Sequence, residues 1–514
     1  MYQLFSPPRN RYRPDSKTKE VQSSIFGGLG SPHFYSDQSK FLTCNLGHIG
    51  ALHPIPGIRS NCVGNVFIVS SDNKADARTF FNNRDANFGK GYQVMFAGMP
   101  ELPLFLRRND EFQSRKELED FHREHLKAAT STERLSNLIP GMAKHAITTF
   151  ARLPKEKGLI DTHVTVYQLI FQISVQTIGC IEHTRSPEML RRITDPFWIF
   201  QESTQFGSTF FPLVPFPRTI RKWTSSFRLF QEISHTVNER IAEGRRENDY
   251  VQEMIDQEAT TGQIALHVVG ALFAAIINST GVAAYFLIFV GTDEKCMSKL
   301  RDEMEGLLRQ EAKIIDASYD ELDILQRVAS VPLESWEKKL PYLDACLKET
   351  LRKLMSMCLY RSYQPRQSAT RRDSTLTYGG EQLRRDDILV YWLSLTHYNS
   401  EIYPDPHKFD PDRFFVHQQG AGDQEFLSWG TGLHPCAGMR FAKLEIKVVV
   451  ACFLLAFDYK SVDPSHNNRP YTLENAPVPK KGDNHTRIPA TPVRLMYSIN
   501  RAAVERYQQV DEDS

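Results

Sequence analysis

Net charge is what this sequence has least of: 62 Lys and Arg stand against 61 Asp and Glu in 514 residues, a formal +1. A chain so balanced carries no electrostatic footprint for a phosphate backbone, which excludes a general nucleic-acid binder. Cysteine is scarce and scattered, at 44, 62, 180, 296, 346, 358, 436 and 452, and no Cys-x-x-Cys occurs. That spacing excludes a zinc ribbon or a disulfide scaffold and fits a reducing, cytosol-facing compartment. Tryptophan is rare, with five in the chain and none between Glu111 and Phe150. Met1 to Pro14 is polar and basic with no apolar run, so no signal peptide or membrane anchor is read there.

What is present is ordinary for a globular protein: 41% hydrophobic and 24% charged residues. The length would hold roughly two to four average domains, yet no repeat or linker divides it. Residues 1–60, rich in Ser, Pro and Gly, read as irregular. Residues 61–500 read as one domain, mainly α with small β-sheets, and 501–514 as a polar tail. Periodicity predicts helices over Asp72–Phe81, Glu111–Ala129, Glu133–Leu153, Thr165–Ile181, Thr219–Glu247, Asp293–Gln310, Pro341–Met355 and Met439–Phe457. It predicts strands over Asn65–Ser71, Asp387–Trp392 and Val493–Ile499.

Ile264 to Val290 contains no Asp, Glu, Lys or Arg and is long enough to span a membrane. Asn278, Ser279 and Thr280 interrupt it midway, where polar groups would be expensive in lipid but useful beside a buried ligand. The expected form is therefore a long helix through the centre of the core.

Phe426 to Gly438 isolates one cysteine. Gly430 and Gly432 precede Cys436 and Gly438 follows it, letting the backbone turn tightly and approach a flat ligand. Cys436 then sits where a loop meets a helix N-terminus, a place expected to stabilise a thiolate. The glycines are misplaced for a phosphate cradle and no Lys-Ser/Thr follows. A buried structural cysteine is the plain alternative.

The segment resembles the haem-thiolate monooxygenases, the cytochromes P-450, whose signature is Phe-x-x-Gly-x-His/Arg-x-Cys-x-Gly. Gly432, His434, Cys436 and Gly438 fall on its positions, and Trp429 stands in place of the phenylalanine. The resemblance extends upstream. Glu349-Thr-Leu-Arg352 and Phe409-Asp-Pro-Asp-Arg413-Phe are similar to the family's Glu-x-x-Arg and Phe-x-Pro-x-Arg-Phe, in the family's order. It implies the cytochrome P-450 fold and haem b bound through Cys436 as axial iron ligand. It further implies a structural network of Glu349, Arg352 and Arg413, with Arg361 and His434 facing the haem propionates. The family's Trp-x-x-x-Arg helix has no counterpart; Arg123 or Lys127 is the expected substitute.

The central helix departs most. The family's Ala/Gly-Gly-x-Asp/Glu-Thr-Thr/Ser can be laid on it in two frames. In one, Asn278 replaces the acid and Ser279 the threonine. In the other, Ile277 replaces the acid and Asn278 the threonine, which resembles the branch containing cholesterol 7α-hydroxylase and prostacyclin synthase. Asn278, Ser279 and Thr280 are the candidate catalytic residues, an amide being able to hold a water where it cannot act as an acid.

By resemblance the chain inserts oxygen from O2 into a lipophilic substrate such as a sterol, terpenoid or other secondary metabolite. Electrons would come from an NADPH-dependent reductase, with Arg440, Lys443 and Lys447 able to receive an acidic surface. The apolar loop 206–217 would roof the substrate cavity and touch a membrane, placing the protein peripherally on the cytosolic face of the endoplasmic reticulum; with no anchor read, cytoplasm is the alternative. Two other classes compete: an oxygen-independent isomerase or dehydratase of a peroxide, and a non-catalytic haem-binding protein.

Overall fold

Helix signals that the sequence carries openly are used as such in a computed structural model of the chain. It describes residues 54–55, 66–69, 74–95, 115–154, 156–203, 216–315, 317–319, 322–365, 377–378, 381–383, 385, 387–416, 425–479 and 489–499. Asp161 and Asp293 cap the helices Thr162–Ile178 and Glu294–Ile314 by accepting from the first free N–H groups. Thr260 and Gln263 form a reciprocal capping box at the start of Thr261–Val290. The helix Pro217–Ala242 ends earlier than periodicity predicts, because Gly244 turns left-handed at φ +62° and Arg245 N–H closes onto the Arg240 carbonyl at 3.0 Å.

Thr261–Val290 is the axis of the molecule. Every residue from Ser279 to Val290 is buried, and the helices Thr162–Ile178, Pro217–Ala242, Pro341–Leu354 and Met439–Ala456 pack against it. Its length and composition pass for a membrane span, but most of it is buried inside the protein. Its end is pinned: the Ser461 hydroxyl donates to the Ile288 carbonyl at 2.7 Å, and a side chain at Gly291 would strike Ser461.

Two small sheets flank the helices, and Thr377–Tyr378 pairs with Glu381–Gln382 as a third, two-stranded sheet. One runs in the order Pro54–Ile55, Val66–Val69, Ile388–Trp392, Cys358–Tyr363, Ala86–Asn87, with a single parallel pair between Val66–Val69 and Ile388–Trp392. The other runs Arg469–Pro470, Phe457–Asp463, Arg494–Ile499, Lys157–Ile160 and is antiparallel throughout. Pro54–Ile55 thus forms a strand inside the stretch read as irregular; the rest of 1–60, most of 206–217 and all of 501–514 lie outside the described residues. The helix Pro187–Ser203, with Pro196 inside it, and the strand Cys358–Tyr363 were not anticipated.

Candidate functional site

Local backbone chemistry builds the cysteine loop. Gly430 and Gly432 sit at φ +67° and +68°, a region that favours glycine. A Cβ on Gly432 would come within 2.5 Å of the Phe81 carbonyl oxygen, while that oxygen accepts from Leu433 N–H at 3.0 Å. Cys436 N–H donates to the Trp429 carbonyl at 2.7 Å, and Met439 N–H to the Cys436 carbonyl at 3.3 Å, opening the helix Met439–Ala456. Gly438 borders open space, with nothing within 4 Å of where a Cβ would stand.

Alone among the described cysteines, Cys436 is exposed. The surrounding protein nevertheless raises its thiol pKa, burial outweighing the hydrogen bond from Gly438 N–H. A bound cation favours the thiolate, since metal coordination deprotonates a thiol outright. The Trp429 indole Nε1 is buried without a hydrogen-bond partner among the described residues.

Near the loop is a cation without an ion-pair partner among the described residues. Arg361 lies on the strand Cys358–Tyr363, 2% exposed, with Nη1 donating to the Tyr360 carbonyl at 2.8 Å and Nε without a partner among the described residues. The rings of Phe80 and Phe88 each lie 4.9 Å from its guanidinium carbon. Burial pulls its pKa down to about 10. Phe88 also stacks on His434 at 5.8 Å, and burial, then the Arg361 charge, push that imidazole down to about 4. A buried guanidinium without a carboxylate is costly unless an anion arrives. A soft thiol donor, an open glycine beside it and an unpaired buried cation fit an iron porphyrin carrying carboxylates.

The Glu349 network lies behind the loop. Arg352 grips the Glu349 carboxylate with Nε and Nη2, both at 2.8 Å, and Arg413 Nε reaches it at 3.2 Å. All three are buried. Arg352 Nη1 donates to the His397 carbonyl at 2.6 Å, and the His397 Nε2 accepts from Leu427 N–H at 3.2 Å. His397 therefore couples the ion pair to the start of the cysteine loop, a link with no sequence signal of its own.

The polar triplet of the central helix divides. Ala274 and Asn278, one turn apart, are exposed on a helix otherwise almost wholly buried, and Asn278 Nδ2 donates to the Ala274 carbonyl at 3.3 Å. Ser279 instead hydrogen-bonds Glu445 of the helix Met439–Ala456, and the Thr280 hydroxyl folds back on the Ile276 carbonyl at 2.8 Å. Arg123 and Lys127 point outward on the helix Arg115–Ala129, and Arg123 pairs with Asp120. Its inward face carries His122 and His125, and His122 Nδ1 meets His267 Nδ1 at 2.6 Å. Lys447 is not a surface group as expected: it is buried, donating to the Trp336 carbonyl at 2.7 Å and paired with Asp344. Arg440 is held by Glu337.

Fold and site together define a haem-thiolate protein of mainly helical architecture. The Cytochrome P-450 family model matches residues 105–486, and the chain belongs to that family. The cytochrome P-450 monooxygenase dmxR5 of Cryptosporiopsis sp. is 26% identical over 454 residues, covering 83% of this chain and 81% of that protein. The obtusifoliol 14-alpha demethylase of Sorghum bicolor is 26% identical over 439 residues, covering 81% of this chain and 82% of its own. Among solved structures, the retinoic acid-bound cyanobacterial CYP120A1 matches with TM-score 0.67 and 17% identity, over 92% of this chain and 97% of that one, a likeness of fold. The protein is an oxidoreductase of the monooxygenase type, and its cofactor is thiolate-ligated haem b.

Proposed function

We propose that Cys436 is the axial ligand of the haem and that the chain oxidises a lipophilic secondary metabolite or sterol, with electrons from an NADPH-dependent reductase. The observation that carries the assignment is the exposed Cys436 in the same loop as His434, whose imidazole feels the charge of a buried Arg361 that has no ion-pair partner among the described residues. Arg361 and His434 would hold the propionates, Trp429 Nε1 would donate to the thiolate, and the Glu349–Arg352–Arg413 network would keep the loop in place. When bound, the haem supplies the redox chemistry that places one oxygen atom of O2 in a C–H bond.

Asn278, and not Ser279 or Thr280, is then the polar residue facing the distal side. This supports the frame in which Ile277 replaces the family's acid. Leu266, Gly270, Phe273 and Ala274 are incompletely buried along the same helix face and suit an apolar substrate. Phe216 and Ile220, 43% and 45% exposed at the start of Pro217–Ala242, support a peripheral membrane contact continuous with 206–217 and a site on the cytosolic face of the endoplasmic reticulum, with cytoplasm the alternative.

The reduced carbon-monoxide difference spectrum tests the ligand: a thiolate-type band in the wild type, lost in Cys436→Ser, is expected. A haem-loaded, folded protein without that band overturns the assignment. The Asn278 substitution also favours a second reading, isomerisation of a peroxide. Turnover of a hydroperoxide with neither NADPH nor O2 would select it.

A further inference from the structure

Three polar side chains join in a row where the helix Arg115–Ala129 meets the central helix. Tyr250 and His267 are each 0% exposed. The Tyr250 hydroxyl lies 2.7 Å from His267 Nε2, and His267 Nδ1 lies 2.6 Å from His122 Nδ1. The hydrogens in this row can take only one order. The Tyr250 hydroxyl has no other partner among the described residues, and an unmade buried hydrogen bond is costly, so it donates to His267 Nε2. A neutral imidazole that accepts on Nε2 carries its hydrogen on Nδ1, and His267 therefore donates to His122 Nδ1. His122 in turn carries its hydrogen on Nε2. Burial first, and neighbouring histidines second, lower His122 to about 4 and His267 to about 2, so both rings are neutral at pH 7 and the order holds.

The row ends on an open donor. His122 is half-buried, and its Nε2 has no partner among the described residues. The adjoining ring carbon, Cε1, lies 4.0 Å from where a Cβ on Gly270 would stand. Gly270 belongs to the incompletely buried face that also carries Leu266, Phe273 and Ala274. Glycine inside a helix costs stability, and here its missing side chain leaves the His122 ring uncovered. A simple tie between two helices would be complete with the two inner bonds. The nearby cations are already engaged: Arg134, over the Tyr250 ring at 5.3 Å, pairs with Glu253, and Arg123 pairs with Asp120.

We propose that His122 determines substrate specificity, its Nε2–H donating to a neutral carbonyl oxygen of the lipophilic substrate, and that Tyr250 and His267 are positioning residues which fix that tautomer. The ligand class is an apolar ketone, quinone or ester, with its hydrocarbon part along Leu266, Gly270 and Phe273. A carboxylate fits less well, because a charge brought in beside a neutral imidazole and two paired arginines finds no counter-charge.

The inference rests on the monooxygenase reading, and the experiment separates the two. Wild type, His122→Leu, His122→Gln and Tyr250→Phe are first checked for the Cys436-dependent carbon-monoxide band, so that failure of that band is failure of the haem assignment alone. Nitrogen NMR of histidine-labelled protein reads the tautomer whether or not the band forms. His122, assigned by its loss in His122→Gln, should carry its hydrogen on Nε2 in the wild type and lose that preference in Tyr250→Phe. Equilibrium dialysis then compares fluorenone with fluorene and benzophenone with diphenylmethane, pairs that differ by one carbonyl oxygen. The wild type should bind a ketone about tenfold more tightly than its parent hydrocarbon, the worth of one hydrogen bond. The preference should vanish in His122→Leu with hydrocarbon affinity kept, fall in Tyr250→Phe, and return in part in His122→Gln, whose amide can donate. If His122→Leu does not fold, Tyr250→Phe carries the test. A wild type that prefers neither ketone, that binds fluorene-carboxylic acid more tightly than fluorenone, or that holds the His122 hydrogen on Nδ1 overturns the proposal, as do variants that keep the preference.

Discussion

His397 shows how much a single side chain can carry at the residue scale. It is 0% exposed, donates Nδ1–H to the Met355 carbonyl at 2.9 Å and accepts Leu427 N–H on Nε2, so only its neutral tautomer satisfies both bonds. Burial first, and the Arg352 charge second, lower its pKa from 6.5 to about 4. The folded state therefore binds this proton less readily than the unfolded one. The resulting stabilisation is complete above about pH 6.5 and is lost as pH falls toward about 4, a span worth about 3 kcal/mol. His122, His267 and His434 are lowered in the same direction and steepen the loss. Urea unfolding followed across this range should show His397→Gln to be less stable than wild type at neutral pH and less sensitive to acid. An unchanged slope would remove His397 from the account.

The cysteine loop illustrates the element scale, where backbone conformation decides more than side-chain chemistry. Gly432 combines positive φ with a carbonyl 2.5 Å from where its Cβ would stand. Gly432→Ala should destabilise by about 2 kcal/mol or more, from a left-handed conformation forced on alanine together with displacement of the segment at Phe81. The same change at Gly438, which has negative φ and open space around it, should leave the apoprotein's unfolding midpoint nearly unchanged and lower haem uptake instead. Paired denaturation and haem-titration curves separate the two glycines. The spacing around Cys436 singled out both glycines, but not the split between them, because one packs against Phe81 and the other borders open space.

Over the whole molecule, Glu349, Arg352, His397 and Leu427 form one connected path from the helix Pro341–Leu354 to the cysteine loop. Glu349→Gln leaves two buried guanidinium groups without a counter-charge and should cost about 3–5 kcal/mol. The expected result is a lower unfolding midpoint together with weaker haem retention, although no haem-facing residue is altered; retention unchanged at reduced stability would refute the coupling. The sequence by itself determined the long helices, since their apolar period and capping residues act locally, and it determined the family, since glycine, cysteine and paired charges recur at set spacings. Cys436, Glu349, Arg352 and Arg413 could be read that way. Tertiary structure alone decided which of three adjacent polar residues faces outward from the central helix. Asn278, Ser279 and Thr280 are separated by about 100° of helix rotation each, and only packing against Glu445 and the neighbouring helices sets which is left open. It also raises the Cys436 thiol above its usual pKa, desolvation by the surrounding protein outweighing the hydrogen bond from Gly438 N–H. Arg361 was read at the haem propionates only by resemblance; the folded chain buries it, leaves its Nε without a partner among the described residues and sets it near His434.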